Sequence, residues 1–289
     1  VVALVAPAGP VPGDLLDAAL PVLRSWGLTV RLGPCTRGRH PAVPYLSGTD
    51  ADRAAEFSDA WLDPSVTAVI AARGGYGCLR MLDLVDWPAL AAAGPKVFAG
   101  SSDVTALHEA VGTHLGWTTL FSPMPATRNF EGPAREHLRR TLFEPASALT
   151  VAGGAVLAPG KARGPLVGGN LSLLAASLGT VQSRPARGAI AVLEDVTEGV
   201  YRLDRLVTQL LRAGWFDGVA GIAFGSWTGC GHPDAVRDLM AERLGPLEVP
   251  MLWELGFGHR PGAPTLPLGV EAELDTDAGA LTLLDPALS

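Results

Sequence analysis

Short apolar runs alternate with helix-spaced stretches along the first half of the chain. That alternation narrows the possible folds more than any other feature. Val1 to Ala6 is an apolar run closed by Pro7. Asp14 to Trp26 carries helical spacing, with Pro21 expected to kink it or end its first part. Leu28 to Leu32 and Val66 to Ala71 read as strands, and a polar-faced helix from Asp50 to Leu62 lies between them. Val97 to Ala99 reads as another strand, ahead of a helix face marked by Val104, Leu107, Val111 and Leu115. Strands alternating with helices predict an α/β fold, a parallel sheet covered on both sides.

The pattern changes after about Glu144. Residues 146–164 hold Gly, Pro and Ala with little helical period and read as a crossing segment plus a strand or two. Beyond it come Gly168-Gly169-Asn170, a short helix to Leu178, a strand from Ala189 to Leu193, a helix from about Tyr201 to Ala213 and a strand from Val219 to Phe224. The tail from Ala263 to Leu284 alternates in the β manner. The expected division is a parallel-sheet domain over 1–145, a crossing linker over 146–164 and a β-rich α+β domain over 165–289. A length of 289 residues suits one large domain or two ordinary ones.

Composition removes several function classes. Hydrophobic residues make up 48% and charged residues 18%, the reverse of a disordered chain. The net charge is −7 and no Lys/Arg cluster is visible, so no nucleic-acid partner is expected. No apolar run approaches the roughly 18–20 residues that span a bilayer, so no membrane partner is expected. Three scattered cysteines, Cys35, Cys78 and Cys230, make neither a disulfide framework nor a zinc site. With no H-E-x-x-H and no acid–histidine spacing on one helix face, neither metal nor cofactor is expected. A reducing cytoplasm is the expected setting. The chain opens at Val1 rather than Met, so an upstream segment stays open.

Four segments could carry chemistry. Lys96 to His108 takes a buried strand into small residues, Gly100-Ser101-Ser102, and then at once into a helix. A hydroxyl at such a turn is pushed out of the sheet, with helix N-terminal N–H groups beside it. Equally, Ser102 and Asp103 can simply cap that helix. Arg73-Gly74-Gly75-Tyr76-Gly77 follows a strand, and its glycines allow close backbone approach to an anion or make a tight turn. Glu194 ends an apolar strand, where it can orient a histidine or begin a helix. His259, between Gly258 and Arg260, sits in an accessible glycine loop, as a base or as an ordinary surface residue.

These segments together resemble the LD-carboxypeptidase family of serine peptidases, which includes muramoyltetrapeptide carboxypeptidases and microcin C immunity-type peptidases. The resemblance rests on Ala72-Arg73-Gly74-Gly75-Tyr76-Gly77, Gly100-Ser101-Ser102-Asp103, Ser122-Pro123-Met124, Gly168-Gly169-Asn170, Leu193-Glu194-Asp195 and Gly258-His259, with Val5-Ala6-Pro7 and Leu266-Pro267-Leu268-Gly269 near the two ends. It implies a Rossmann-like first domain carrying the nucleophile and a second domain carrying its partners. The triad it implies is Ser102, His259 and Glu194, with Ser101 as a neighbouring hydroxyl and Glu198 as a substitute acid. The oxyanion donors it implies are the backbone N–H groups of Gly75 and Asp103. Ala8 stands where the family usually has Ser, and Ser122 where it often has Gly.

The implied substrate is a small peptide, a murein tetrapeptide losing its terminal D-residue or a peptidyl-nucleotide. A base-stacking surface for the second would come from residues such as Trp117, Trp227 or Trp253. An exopeptidase must also hold a free carboxylate, for which Arg73, Arg128 and Arg260 are the candidates. The resemblance also implies a homodimer. The contrasting reading is a non-catalytic nucleotide or sugar-phosphate module, with the glycine loop as a phosphate cradle.

Overall fold

A computed structural model describes residues 1–288. The first half carries strands β1 (Val2–Val5), β2 (Val30–Leu32), β3 (Ala68–Ala71), β4 (Val97–Gly100) and β5 (Thr119–Phe121). Around them run helices α1 (Gly13–Ser25), α2 (Asp50–Leu62), α3 (Cys78–Met81), α4 (Trp87–Ala93), α5 (Thr105–Leu115) and α6 (Gly132–Phe143). The second half contains β6 (Thr150–Ala152), β7 (Ala155–Ala158), β8 (Lys161–Asn170), α7 (Leu171–Ala176), β9 (Ile190–Val196), α8 (Val200–Arg212), β10 (Gly221–Thr228) and α9 (Pro233–Leu244). It closes with β11 (Met251–Trp253), β12 (Leu266–Leu268), β13 (Glu271–Asp275) and β14 (Ala280–Leu283).

The strands form two sheets, a six-stranded one in the order β12-β5-β4-β3-β1-β2 and an eight-stranded one in the order β6-β14-β13-β8-β9-β10-β11-β7. In the first sheet β5, β4, β3, β1 and β2 are all parallel. Residues of β1 and β3 are buried throughout, as strands covered on both faces must be. The mixed α/β class expected from the alternation is therefore the one observed. Carboxyl ends of parallel strands bring their loops together on one edge, and Pro7–Gly9, Gly74–Gly77 and Ser101–Ser102 all leave from such ends.

Residues 146–164 hold β6, β7 and the first residues of β8, in keeping with a segment expected to carry a strand or two. One strand crosses the expected division: β12, from the tail, pairs antiparallel with β5 and completes the first sheet. Directly after it, Gly269 N donates to Leu166 O at 2.8 Å and Leu166 N donates to Val270 O at 3.0 Å, which hands the chain to β13 beside β8. Phe121, Leu166, Val192, Phe257, Leu266 and Leu268 share one buried cluster, so the sheets meet through a common core.

Local details follow from sequence. Thr49 caps α2 in a reciprocal box, accepting from Asp52 N at 3.1 Å while the Asp52 carboxylate accepts from Thr49 N. Helix α1 runs on through Pro21 instead of ending there. Pro21 and Asp17, whose carbonyl loses its partner, both lie on the exposed face, where water can replace the missing bond.

Candidate active site

The loop between β4 and α5 has an unusual backbone. Ser102 sits at φ +62°, a left-handed conformation rare for a residue with a side chain. Such strain costs about 1–3 kcal/mol and persists only where the surroundings enforce it. Ser101 is extended and buried, whereas Ser102 is partly exposed. A short 3-10 turn, with Val104 N donating to Ser101 O at 3.1 Å, carries Ser102 and Asp103 into α5. Beneath the turn, His108 is fully buried with Nε2 3.0 Å from Gly100 O. Burial pushes its imidazole down to about 4, so it is a neutral strut.

The glycine loop after β3 lies against this serine. A side-chain carbon on Gly74 would stand 2.8 Å from Ser102 Cβ and 3.1 Å from its Oγ. Only a glycine allows that approach. Gly75, at φ +122°, packs on Gly9, and Gly9 N donates to Gly74 O at 3.1 Å. Two buried side chains fix the end of the loop. The Asp103 carboxylate accepts from Cys78 N at 2.7 Å. The Arg53 guanidinium, fully buried, donates from Nη1 to Gly77 O at 2.8 Å and to Pro7 O at 2.5 Å, and from Nε to Gly48 O at 3.3 Å; its Nη2 pairs with Asp50. Burial raises the Asp103 carboxyl above its ordinary range, against the opposing pull of the loop N–H groups.

The second half supplies an acid and an imidazole. Glu194 lies in the last part of β9, at 0% exposure. Its Oε2 lies 2.7 Å from His259 Nδ1 and accepts from His259 N at 3.2 Å, while Oε1 accepts from Asn170 Nδ2 at 3.2 Å. Burial lowers the His259 pKa, but the Glu194 charge and hydrogen bond outweigh it and the net direction is upward. Glu198 instead faces Arg202 at 3.6 Å.

Asn170 ties the halves together. Its backbone N donates to Thr105 Oγ1 at 3.0 Å, three residues beyond Ser102, while its amide bridges Glu194 and Asp195. The serine turn and the Glu194–His259 pair thus share one link. Among the described residues no hydrogen bond joins the Ser102 hydroxyl directly to His259. The structure therefore brings together Ser102 with the Gly74–Gly75 loop and Asp103, and separately Glu194 with His259, joined through Asn170 and Thr105.

Arg53 and Asn170 carry roles that sequence reasoning did not assign. Arg53 had a signal, since it shares the apolar face of α2 with Ala54, Phe57 and Ala60, where an arginine must be paired. Asn170 stood in a quoted motif, but its bonds depend on tertiary packing. A cavity of about 540 Å³ lies elsewhere, toward the β2 edge, lined by residues including Arg31, Cys35, Asp52 and Glu56; none of Ser102, Glu194, His259, Gly75 and Asp103 lines it. No helix among the described residues is long and apolar enough to cross a membrane.

Comparison with known proteins places this arrangement. Residues 2–122 match the LD-carboxypeptidase N-terminal domain and residues 163–274 the LD-carboxypeptidase C-terminal domain. The chain belongs to the LD-carboxypeptidase family and is a hydrolase of the serine-type carboxypeptidase class. A protein of Streptomyces coelicolor, named as a candidate carboxypeptidase, is 56% identical, with 99% of this chain and 94% of that protein covered. The murein tetrapeptide carboxypeptidase of Pseudomonas aeruginosa is 33% identical, covering 95% and 92%. The crystal structure of muramoyltetrapeptide carboxypeptidase from Oxalobacter formigenes superposes with a TM-score of 0.85 at 28% identity, covering 99% of both chains. The microcin C7 self-immunity protein MccF of Escherichia coli is 25% identical over 85% of this chain and 81% of its own. Family membership sets aside the non-catalytic binding module.

Proposed function

We propose that this chain hydrolyses the terminal amide of a murein tetrapeptide, releasing the D-residue, through a Ser102–His259–Glu194 triad. The observation that carries the reading is the fully buried Glu194 carboxylate receiving both the backbone N–H and the ring Nδ1 of His259. A carboxylate so placed holds the proton on Nδ1 and leaves the Nε2 lone pair as the base.

In the proposed reaction His259 Nε2 takes the Ser102 proton as Oγ attacks the scissile carbonyl. Backbone N–H groups of Gly75 and Asp103 hold the oxyanion, each donor contributing about 10²–10³ in rate. As the C–N bond breaks, His259 returns the proton to the leaving amine. Water, deprotonated by the same nitrogen, then releases the acyl group and regenerates the serine. The left-handed backbone at Ser102 and the close approach of Gly74 support this assignment over Ser101. The bond from His259 supports Glu194 over Glu198 as the acid.

The peptidyl-nucleotide substrate, motivated by the likeness to MccF, is the weaker reading. Trp227 and Trp253 are buried and stacked on one another, and half-buried Trp117 has one face covered by Trp61, so the two buried rings offer no free face to a base. The reading includes a homodimer, which sedimentation velocity tests, and a cytoplasmic setting, which suits three buried free thiols. Mass spectrometry of products from a murein tetrapeptide, with the Ser102→Ala protein alongside, tests the reaction. Release of the D-residue by the parent alone is the expected result. Turnover of a peptidyl-sulfamoyl adenylate but not the tetrapeptide would overturn the substrate assignment.

A further inference from the structure

A carboxypeptidase must recognise a free carboxylate, and the glycine loop already carries a cation suited to it. We propose that Arg73 binds the terminal α-carboxylate of the peptide substrate; this rests on the hydrolase reading above. In a peptide the terminal carboxylate carbon is three covalent bonds from the scissile carbonyl carbon, each about 1.3–1.5 Å. Its anchor must therefore stand on the rim of the oxyanion site itself.

Arg73 meets that requirement through its backbone and its side chain. It directly precedes Gly74, which lies against Ser102 Oγ. Its guanidinium carbon would be 3.9 Å from a side-chain carbon on Gly75, and its Nη1 would be 3.2 Å from one on Gly9. Glycine at both positions leaves the guanidinium flush with the loop whose N–H faces the oxyanion. The side chain is half-buried and held by one bond, Nη1 to Pro10 O at 2.6 Å. That bond fixes the planar group and leaves Nε and Nη2 for a planar, bidentate partner.

The charge balance points the same way. This chain has 29 acidic and 22 basic residues, yet among the described residues no carboxylate forms an ion pair with Arg73. The neighbouring guanidinium groups are committed. Arg53 is consumed by three carbonyls and Asp50, and Arg80 pairs with Asp50 at 2.9 Å. Arg260 follows His259 in sequence, but it turns back over Gly256 and lines a separate cavity with His137 and Glu254. Arg128 lies exposed in the loop after β5.

The test compares a murein tetrapeptide with the same peptide as its C-terminal amide, using the full chain, Arg73→Met and Arg73→Gln. Arg73→Gln retains a donor for Pro10 O while removing the charge, so it separates loop support from carboxylate binding. The parent is expected to favour the free acid. Both variants should lose about 10–100-fold in kcat/KM on the acid, as for a lost charged hydrogen bond, and change less than about threefold on the amide. Ser102 labelling by a fluorophosphonate should persist in Arg73→Gln. Equal losses on acid and amide in Arg73→Gln, or a parent indifferent to the end group, would overturn the anchor alone. A parent that cleaves neither peptide would overturn the hydrolase reading and the anchor with it.

Discussion

Gly258 packs its bare Cα face against the carboxylate of Glu194: a methyl there would stand 2.8 Å from Glu194 Cδ and collide with Oε2. Gly258 also adopts φ +100°, which residues with side chains rarely reach. The residue before the histidine is thus fitted to the acid that orients it. Gly258→Ala should displace the Glu194–His259 bond and lower kcat/KM by at least about 100-fold, since a shift near 1 Å costs that much. Steady-state kinetics checks this, and activity within threefold of the parent would contradict the fit.

The strained serine makes a prediction about stability as well as rate. Ser102→Ala should lose about 10⁶ in kcat, as expected for a triad nucleophile, with an unchanged unfolding midpoint. Ser102→Gly should be equally inactive yet about 1 kcal/mol more stable than Ser102→Ala, because glycine occupies φ +62° without penalty. Ser101→Ala should keep most of the activity. Urea unfolding and product assays on the three proteins decide the matter.

The direction of the His259 shift fixes a pH profile. Its pKa is raised above 6.5 by Glu194 despite burial, and the proposed role as base needs the neutral ring. The acid limb of kcat/KM should therefore lie above pH 6.5 and activity should rise with pH through it. Stability runs the other way. The protonated ring bound to Glu194 stabilises the fold fully below the unfolded pKa near 6.5, and that contribution disappears as pH climbs through the raised folded value. Glu194→Gln should move the limb to lower pH and reduce kcat by as much as about 10⁴. A pH–rate profile of the two proteins provides the check.

Arg53 and Asp103 both hold the end of the glycine loop, at Gly77 O and Cys78 N, so their removal should act on rate through position. Arg53→Met leaves three buried carbonyls without their donor and Asp50 with Arg80 alone, and should destabilise the protein by about 3–5 kcal/mol. Asp103→Asn keeps the shape and weakens the grip on Cys78 N. It should lower kcat about tenfold with KM little changed, because the oxyanion donors act only in the transition state. Kinetics at a temperature well below each midpoint separates this from unfolding.

Much of this was readable from residues, and the limits have physical causes. The alternation of strand and helix predicted the parallel sheet because apolar period reports local geometry directly. Helix Asp50–Leu62 is legible to the residue because its polar face is periodic and Asp63-Pro64 closes it. The short runs containing Ser102, Glu194 and His259 stood out because tight glycine turns leave a local trace. What stayed hidden was partnership. Alternation in Leu266–Leu268 says that one face is buried, not that the strand pairs with β5 in the first sheet. The bonds of Asn170 to Thr105, Glu194 and Asp195 likewise connect residues far apart in the chain. Pro21 does not end α1, because the carbonyl it orphans faces water.

The seating of β12 against β5 also bears on how the protein comes into being. During translation the amino-terminal strands leave the ribosome long before residues 266–268, so β5 waits with an open edge ready to pair with whatever comes near. His259 emerges only shortly before that edge is filled. With His259 as the proposed base, a nascent chain should stay inert until that stretch has been made, and an early stop before residue 266 should leave the β5 edge unpaired.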